Sequence, residues 1–306
     1  MLEYISIDIL INVVLAVITL SLGLTLTKQN FTNLLLNPKA LTVGLASQLI
    51  ILPLVGFGVL HYFDFDPVMK VGFIVITLCP GGATSNLITF MMNGNVALSI
   101  SLTILNSVVT LFTIPALTLF AQNLYLDQTD KIDMPFWDAF TAIFLVTLLP
   151  ATIGVAIRYQ FPRFAKKIYP ILRYILPVLL FIIFAVKIFG KKEDGGVQLG
   201  MQEFFEILPA TLLLNLIGML AGLVVGSILL VKFKNRITIL VEVGLQNTAM
   251  ALLVTGVLLG NPEMEKPAIV YAAFSFFSTL LAAWVFKSLF FKWKKHMKRE
   301  VHPSEY

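Results

Sequence analysis

Apolar residues fill this chain in long runs, and short polar clusters separate one run from the next. An α-helix needs roughly 20 apolar residues to cross a hydrocarbon layer of about 30 Å. Runs of this kind occupy positions 5–27, 40–61, 68–92, 95–121, 136–159, 170–190, 206–231, 237–260 and 267–291. The pattern predicts an all-α polytopic membrane protein with about nine transmembrane helices, in which residues 1–306 form a single transmembrane domain.

The polar clusters alternate in charge along the chain. One set is basic and comprises Lys28, Lys39, Arg158, Arg163, Lys166, Lys167, Arg173, Lys232, Lys234, Arg236 and the tail at 287–299. The other set is mainly acidic and comprises Asp64, Asp66, Asp127, Asp130, Asp133, Glu193, Asp194, Glu203, Glu263 and Glu265. Because loops rich in Lys and Arg stay on the cytoplasmic side, we predict a bacterial inner-membrane protein with its N-terminus outside. An odd number of spans then makes residues 293–306 a cytoplasmic tail.

The composition excludes several classes of function. Hydrophobic residues make up 58% of the chain and charged residues 13%, which leaves no room for a soluble domain. The net charge of +5 comes from interhelical loops and the tail, so it indicates membrane topology and contact with lipids rather than nucleic acid. Cys79 is the only cysteine, and no histidine lies centrally in a span. We therefore expect neither redox chemistry nor structural zinc, and no enzyme.

Two predicted spans are interrupted by polar and flexible residues. The third contains CPGGATSN at positions 79–86, and the eighth contains EVGLQNT at positions 242–248. Backbone groups cannot stay unpaired in hydrocarbon, so such breaks are tolerated only where protein, water or a ligand fills the gap. The two spans cross the membrane in opposite directions, as in an inverted repeat. We predict two broken helices at matching depth, with a first repeat at about 1–121 and a second at about 136–292.

Glu242 is the one acidic residue well inside a predicted span. A lone carboxylate at that depth is costly, and ionisable groups within a membrane usually face a cavity and a partner. No Lys or Arg lies at matching depth, so a bound cation is one candidate partner. Two alternatives stay open: the side chain is protonated and bonds a neighbouring helix, or it reaches the cytoplasmic surface.

Oxygen-bearing side chains, which hard cations prefer, lie near this position in the predicted arrangement. Ser85 and Asn86 lie at the first interruption. On the next helix, hydroxyl and amide residues recur at three- and four-residue spacing, at Ser99, Thr103, Asn106 or Ser107, and Thr110. A tight turn at 93–95 brings this face back against Ser85, although helix packing alone also explains such a stripe. The ends of half-helices add free N–H groups for an anion and free carbonyls for a cation.

Three sequence blocks resemble the bile acid:sodium symporter family. They are CPGGATSN at 79–86, GNVALS at 94–99 and VEVGLQNT at 241–248, and the pattern of spans extends the resemblance over nearly the whole chain. The resemblance implies a core bundle and a panel bundle, with two broken helices that cross in the core. It implies a first sodium site at Ser85, Asn86, Ser99, Thr103 and Glu242, and a second at Gln48, Glu242, Val243, Leu245 and Gln246. It also implies substrate contacts at Ala83, Thr84 and Asn247, where the chain departs from the family's Gly-Gly-Thr-Ala-Ser order.

These inferences lead to three hypotheses. The first is a monomeric sodium-coupled secondary active symporter that works by alternating access and carries a small organic anion with two sodium ions. The anion would be bile-acid-like or a short hydroxy or keto acid. The second is a proton-coupled or uncoupled organic anion carrier or exporter of the same fold, with Glu242 titrating. The third is a channel or a membrane sensor, and the lack of room for a soluble domain argues against the sensor.

Overall fold

The computed structural model of the protein describes residues 7–27, 29, 38–190 and 196–301, and the regular elements in these ranges are helices. We number the helices in chain order. They are α1 (Ile7–Thr25), α2 (Pro38–Leu60), α3 (Pro67–Leu78), α4 (Ala83–Met91), α5 (Val96–Tyr125), α6 (Phe136–Gln160), α7 (Pro162–Phe189), α8 (Met201–Ile228), α9 (Phe233–Gly244), α10 (Thr248–Leu258) and α11 (Pro262–Val301). Single π-helical turns lie within α2, α6 and α10, at Ser47–Ile51, Phe144–Leu148 and Leu253–Leu258.

Long apolar helices dominate the described residues. Five segments are long and apolar enough to cross a membrane, namely α2, α5, α6, α8 and the Pro262–Lys292 part of α11. A sixth, α7, passes the same test as a bent pair, with an angle of 41° between Pro162–Leu172 and Tyr174–Phe189. Three shorter helices are also apolar: α3, α10 and the Ile9–Thr25 part of α1. The protein is therefore a multi-pass α-helical membrane protein.

Helices α7 and α11 extend farthest beyond their predicted spans. Helix α7 begins at Pro162 rather than at position 170, because proline fits the first turn of a helix, where its missing N–H has no partner to lose. Helix α11 continues past position 291 to Val301. The apolar pattern marks only the lipid-facing part of a helix, whereas the helix itself continues until a breaker approaches, and the next proline is Pro303. Part of the predicted tail is thus helical.

Each of the two predicted interruptions is present as a break between helices. Helix α3 ends at Leu78 and α4 begins at Ala83, while α9 ends at Gly244 and α10 begins at Thr248. The backbone is extended at Cys79 and Gly82 in the first break and at Leu245 in the second. The chain therefore crosses each break as a short extended segment instead of a kinked helix.

The helices pack in two groups. Helix α1 lies against α6 and α7, which also contact each other. The second group contains both broken pairs together with α2, α5, α8 and α11: α3 packs against α2, α5 and α11, and α9 packs against α5, α8 and α11. Helix α5 contacts α6, and α1 contacts α10, across the boundary between the groups. Both breaks therefore belong to the larger group.

A tight turn connects α4 to α5 and also holds the start of α9. Asn93 has a φ of 57°, a left-handed conformation that asparagine tolerates better than most residues. Asn95 donates from its backbone N–H to Thr238 Oγ1 at 2.8 Å and from Nδ2 to Asn235 Oδ1 at 2.9 Å. These bonds fix the register between α5 and α9. Glu242, one turn after Thr238, consequently faces the first turns of α5.

Candidate ion and anion site at the helix crossing

The two broken helices meet through their backbones. Gly82 N–H donates to the Leu245 carbonyl at 3.1 Å, and Asn247 N–H donates to the Pro80 carbonyl at 2.9 Å. An isolated antiparallel bridge lies between these two bonds. Each extended segment thus satisfies polar backbone groups of the other, which is the condition for breaking a helix inside a membrane.

The Glu242 carboxylate lies beside this crossing and is 1% exposed. Ser85 Oγ and Ser99 Oγ donate to its Oε2 at 2.8 and 3.1 Å, and Thr103 Oγ1 donates to its Oε1 at 2.7 Å. Within the ranges that the structure describes, this carboxylate forms no ion pair with Lys or Arg. The side chain is enclosed by protein instead of extending to the cytoplasmic surface. A bound cation or a bound proton are the two remaining ways to offset its charge.

Separate elements position these groups, and one glycine makes room for the carboxylate. Ser85 lies in the first turn of α4, whereas Ser99 and Thr103 lie one turn apart on a single face of α5. Glu242 lies in the last turn of α9. A Cβ atom on Gly81, in the opposite break, would lie 2.3 Å from Glu242 Oε1. Only glycine permits so close an approach between the break and the carboxylate.

A second polar cluster joins both breaks to α2. Gln48 Nε2 donates to the Cys79 carbonyl at 2.9 Å and to Gln246 Oε1 at 2.5 Å, and Gln246 Nε2 donates to the Val243 carbonyl at 2.7 Å. Gln48 lies in the π-helical turn of α2, a feature that often marks functional sites. Its Oε1 is buried without a hydrogen-bond partner. A buried amide oxygen of this kind is available to a ligand.

The structure brings together four of the five residues predicted for the first sodium site, namely Ser85, Ser99, Thr103 and Glu242. The fifth, Asn86, is half-buried, and its Oδ1 is enclosed without a hydrogen-bond partner. Farther along the predicted stripe, Ser107 and Thr110 donate to carbonyls of their own helix. Both amide atoms of Asn106 are buried without partners. The stripe therefore contributes to the crossing mainly through its first two hydroxyls.

The residues predicted for the second sodium site are linked less completely. Gln48, Gln246 and the Val243 carbonyl form the chain of hydrogen bonds described above. The Leu245 carbonyl accepts the N–H of Gly82. The hydrogen bonds of the Glu242 side chain go to the three hydroxyls of the first group instead of to these amides. In this structure the carboxylate thus belongs to the first group.

The predicted substrate residues lie where two helices begin. Ala83 is the first residue of α4, and its side chain lies outside what the structure describes. Thr84 is exposed and Asn247 is half-buried. Asn247 Oδ1 caps α10 by accepting the Met250 N–H at 3.1 Å. The N-termini of α4 and α10 therefore both lie at the crossing, and the positive ends of helix dipoles favour an anion there.

The chemistry of this site suits a hard cation better than a transition metal. The groups present are hydroxyls, amides, backbone carbonyls and one carboxylate. No group of three or more His, Cys, Asp and Glu residues that could hold a metal ion occurs in the described part of the chain. Soft and borderline metals prefer sulfur and imidazole ligands, and the one thiol in the breaks, that of Cys79, donates to the Val75 carbonyl at 3.3 Å.

A buried ion pair links the two helix groups, and its position differs from the prediction. The sequence pattern places Glu265 in an acidic loop, which is wrong: it lies in α11, is 2% exposed and pairs with Lys187 of α7 at 2.8 Å. Glu242 is therefore not the only acid enclosed by protein. The signal was present, because Lys187 falls inside a predicted apolar span and a charge there requires a partner.

A third polar arrangement, which the sequence pattern did not indicate, surrounds the last carbonyl of α9. Asn215 Nδ2, Tyr271 OH and Thr279 Oγ1 all donate to the Gly244 carbonyl, at 2.7, 3.0 and 3.0 Å. These three side chains are each 0% exposed. Asn215 is the only amide in the predicted apolar span 206–231, as Gln48 is in the span 40–61, and this likeness is the signal that could have indicated it.

An all-helical membrane protein in which two broken helices meet at a buried polar cluster has the architecture of a secondary transporter. Residues 12–197 match the profile of the Sodium Bile acid symporter family. The chain belongs to this family.

Individual relatives come from plants, bacteria and animals. The chain is 28% identical over 256 residues to the probable sodium/metabolite cotransporter BASS1 of Arabidopsis thaliana chloroplasts. This alignment covers 84% of the present chain and 61% of the plant protein. It is 26% identical over 297 residues to an uncharacterized sodium-dependent transporter of Bacillus subtilis, and the alignment covers 96% of this chain and 86% of the bacterial protein. It is 26% identical over 301 residues to the ileal sodium/bile acid cotransporter of Homo sapiens, and the alignment covers 96% of this chain and 82% of the human protein. The chain spans about three fifths of the length of the Arabidopsis relative.

Proposed function

We propose that the protein is a sodium-coupled secondary active symporter that carries a small organic anion by alternating access. The observation that carries this proposal is the Glu242 carboxylate, which is buried among three hydroxyls at the crossing and has no ion-pair partner among the described Lys and Arg residues. A hard cation among these oxygens offsets the buried charge. The names of the relatives refer to sodium with metabolites or bile acid, which supports the same class of function.

The first sodium ion would be held by Ser85, Asn86, Ser99, Thr103 and Glu242. A hydroxyl carries two lone pairs besides its proton, so the groups that donate to Glu242 can also offer their oxygens to a cation. The buried and unpartnered Oδ1 of Asn86 adds an amide oxygen. These ligands come from α4, α5 and α9, so the ion would hold three helices together.

The second sodium ion would be held by Gln48, Glu242, Val243, Leu245 and Gln246. The unpartnered Oε1 of Gln48 supports this assignment. So do the carbonyls of Val243 and Leu245, since each carbonyl has a second lone pair beyond its present hydrogen bond. Glu242 is common to both proposed sites, and one carboxylate shared in this way would couple the two ions.

The substrate would be an organic anion bound near Ala83, Thr84 and Asn247. Two helix N-termini at the crossing favour a carboxylate, which their free N–H groups can bind. The exposure of Thr84 leaves this edge of the crossing accessible. We expect either a bile-acid-like molecule or a short hydroxy or keto acid.

Alternating access would use the two helix groups. In this proposal nine spans result when α3 with α4 and α9 with α10 each count as one, and they form inverted repeats at about 1–121 and 136–292. Helices α1, α6 and α7 would form the panel and the others the core, with the N-terminus outside. Sodium and substrate would shift the equilibrium between the two states only by their difference in affinity for each state.

Uptake by proteoliposomes tests the proposal. A thermal-shift screen of cholate, lactate, pyruvate and related anions, in NaCl and in KCl, first selects a radiolabelled substrate. We expect uptake under an inward sodium gradient that Glu242→Ala and Gln246→Ala abolish. Thr147→Val is the control, because Thr147 is buried in α6 and donates only to a carbonyl of its own helix. Equal uptake in potassium medium would rule out sodium coupling.

A proton-coupled carrier is the second candidate, and the same carboxylate supports it. Three hydroxyl donors and full burial also suit a Glu242 that exchanges a proton. In that case a pH gradient would drive uptake without sodium, and Glu242→Gln would abolish the pH dependence. The proteoliposome experiment separates the two candidates when the sodium and pH gradients are applied one at a time.

A further inference from the structure

The end of α9 is fixed by an unusual concentration of donors. Asn215 of α8 and Tyr271 and Thr279 of α11 donate to one acceptor, the Gly244 carbonyl, and we call these three side chains the Gly244 cluster. A carbonyl oxygen has two lone pairs, so three donors exceed what satisfying it requires. Ser278 Oγ in turn donates to Asn215 Oδ1 at 2.7 Å, which orients the amide.

This carbonyl lies between the two carbonyls that the second proposed sodium site would use. Val243 precedes Gly244 and accepts from the Gln246 side chain, while Leu245 follows it and accepts from Gly82. A Cβ on Gly244 would lie 2.6 Å from Thr279 Oγ1, so helix and cluster are in close contact. The direction of the Gly244 carbonyl thus constrains the peptide groups on either side.

The other break shows a related arrangement. There, Gln48 of α2 donates from its amide to the carbonyl of Cys79, at the end of α3. Asn215 of α8 donates from its amide to the carbonyl at the end of α9. In both breaks, therefore, an amide on the preceding long helix holds a carbonyl at the end of the first half-helix, that of Cys79 directly after α3 and that of Gly244 at the last residue of α9. Gln48 is a predicted sodium ligand, whereas Asn215 has all its amide atoms engaged by protein.

We propose that Asn215, Tyr271 and Thr279 are positioning residues for the second sodium site, an inference that rests on the proposed function. They hold the Gly244 carbonyl away from the site, so the Val243 and Leu245 carbonyls are presented to the ion in a fixed geometry. Groups that orient the ligands of a metal ion typically affect its affinity by about tenfold or more. A cluster that only supported the fold would change stability without changing sodium affinity.

Sodium titration of the purified full chain tests this inference without knowledge of the substrate. The melting temperature is followed as NaCl replaces KCl at constant ionic strength, for the wild type, Tyr271→Phe and Thr279→Val. Each variant removes one donor and keeps the size of the side chain. Thr279→Ser retains the hydroxyl and is the rescue variant. Thr147→Val is the control, because it changes a buried threonine outside the cluster.

We expect half-saturation by sodium to rise about tenfold in Tyr271→Phe and Thr279→Val, and to stay at the wild-type value in Thr279→Ser and Thr147→Val. If both donor variants keep the wild-type half-saturation and lose only sodium-free stability, the positioning role is refuted while the proposed function stands. If the wild type itself responds equally to sodium and potassium, the proposed function is refuted and this inference with it. Should one donor variant fail to fold, the other decides the question.

Discussion

Replacing Glu242 by Gln separates the charge of this side chain from its packing. In the structure its two carboxylate oxygens accept three hydroxyl donors, from Ser85, Ser99 and Thr103. A glutamine has the same shape and keeps one acceptor oxygen. Its NH₂ group can donate to serine hydroxyls that turn to accept, because hydroxyls do both. The variant therefore retains the contacts and loses only the negative charge.

The expected stability of Glu242→Gln relative to the wild type is lower with sodium than without it. Burying a carboxylate costs several kcal/mol, so Glu242→Gln should melt at or above the wild-type temperature in KCl. In the wild type, sodium at about ten times its Kd adds about 1.4 kcal/mol through RT ln(1 + [Na⁺]/Kd). With an unfolding entropy of about 2.1 cal/mol/K per residue, this corresponds to a rise of roughly 2 °C for a chain of 306 residues. The glutamine variant should show no such rise.

A thermal-shift assay in NaCl and in KCl measures both effects, and Glu242→Ala serves as the comparison. The alanine variant leaves the buried hydroxyls of Ser85 and Ser99 without their acceptor, at about 1–3 kcal/mol each, so it should melt below the wild type even in KCl. The Thr103 hydroxyl retains the Ser99 carbonyl as an acceptor. A glutamine variant that kept the full sodium-dependent rise would refute the reasoning. It would mean that the charge at this position plays no part in sodium binding.

Two further substitutions test the geometry around the crossing and between the helix groups. Gly81→Ala should abolish the sodium-dependent rise in melting temperature, because the new Cβ would lie 2.3 Å from Glu242 Oε1; an unchanged sodium titration would contradict the close approach. Lys187→Met should lower stability by about 3–5 kcal/mol, because it removes one member of a buried ion pair. The double variant Lys187→Met with Glu265→Gln should recover most of the lost melting temperature, and a failure to recover would contradict this explanation.

The positions of the breaks could be predicted because backbone chemistry in a membrane leaves few options. Pro80 removes a donor beside two glycines, and such a segment cannot remain a lipid-exposed helix. The approach of Ser99 and Thr103 to Ser85, where all three side chains donate to Glu242, followed from a short turn and from four-residue spacing, which are both local properties. Counting residues from the basic loop could place Glu242 at the same depth in the membrane as Ser85. All of these inferences depend on distance along a single chain segment.

Other features depend on how each helix is rotated in the bundle, and the sequence pattern does not specify that rotation. Helix α8 is apolar on nearly all sides, so no polar stripe marks the face that carries Asn215. Tyr271 and Thr279 lie about two turns apart on α11, and only their shared contact with Gly244 shows that they act together. The pairing of Lys187 with Glu265 likewise requires knowing that α7 and α11 are neighbours.

The arrangement of the crossing gives a physical reason why ion and anion binding would be coupled. The backbone bonds between Gly82 and Leu245, and between Asn247 and Pro80, tie one break to the other. Any movement of the α9 end would therefore move the N-terminus of α4 as well. The proposed sodium ligands and the proposed anion-binding N–H groups lie on these same two segments. If sodium orders the segments for the anion, the anion must increase sodium affinity by the same factor, because the coupling free energy between two ligands is reciprocal.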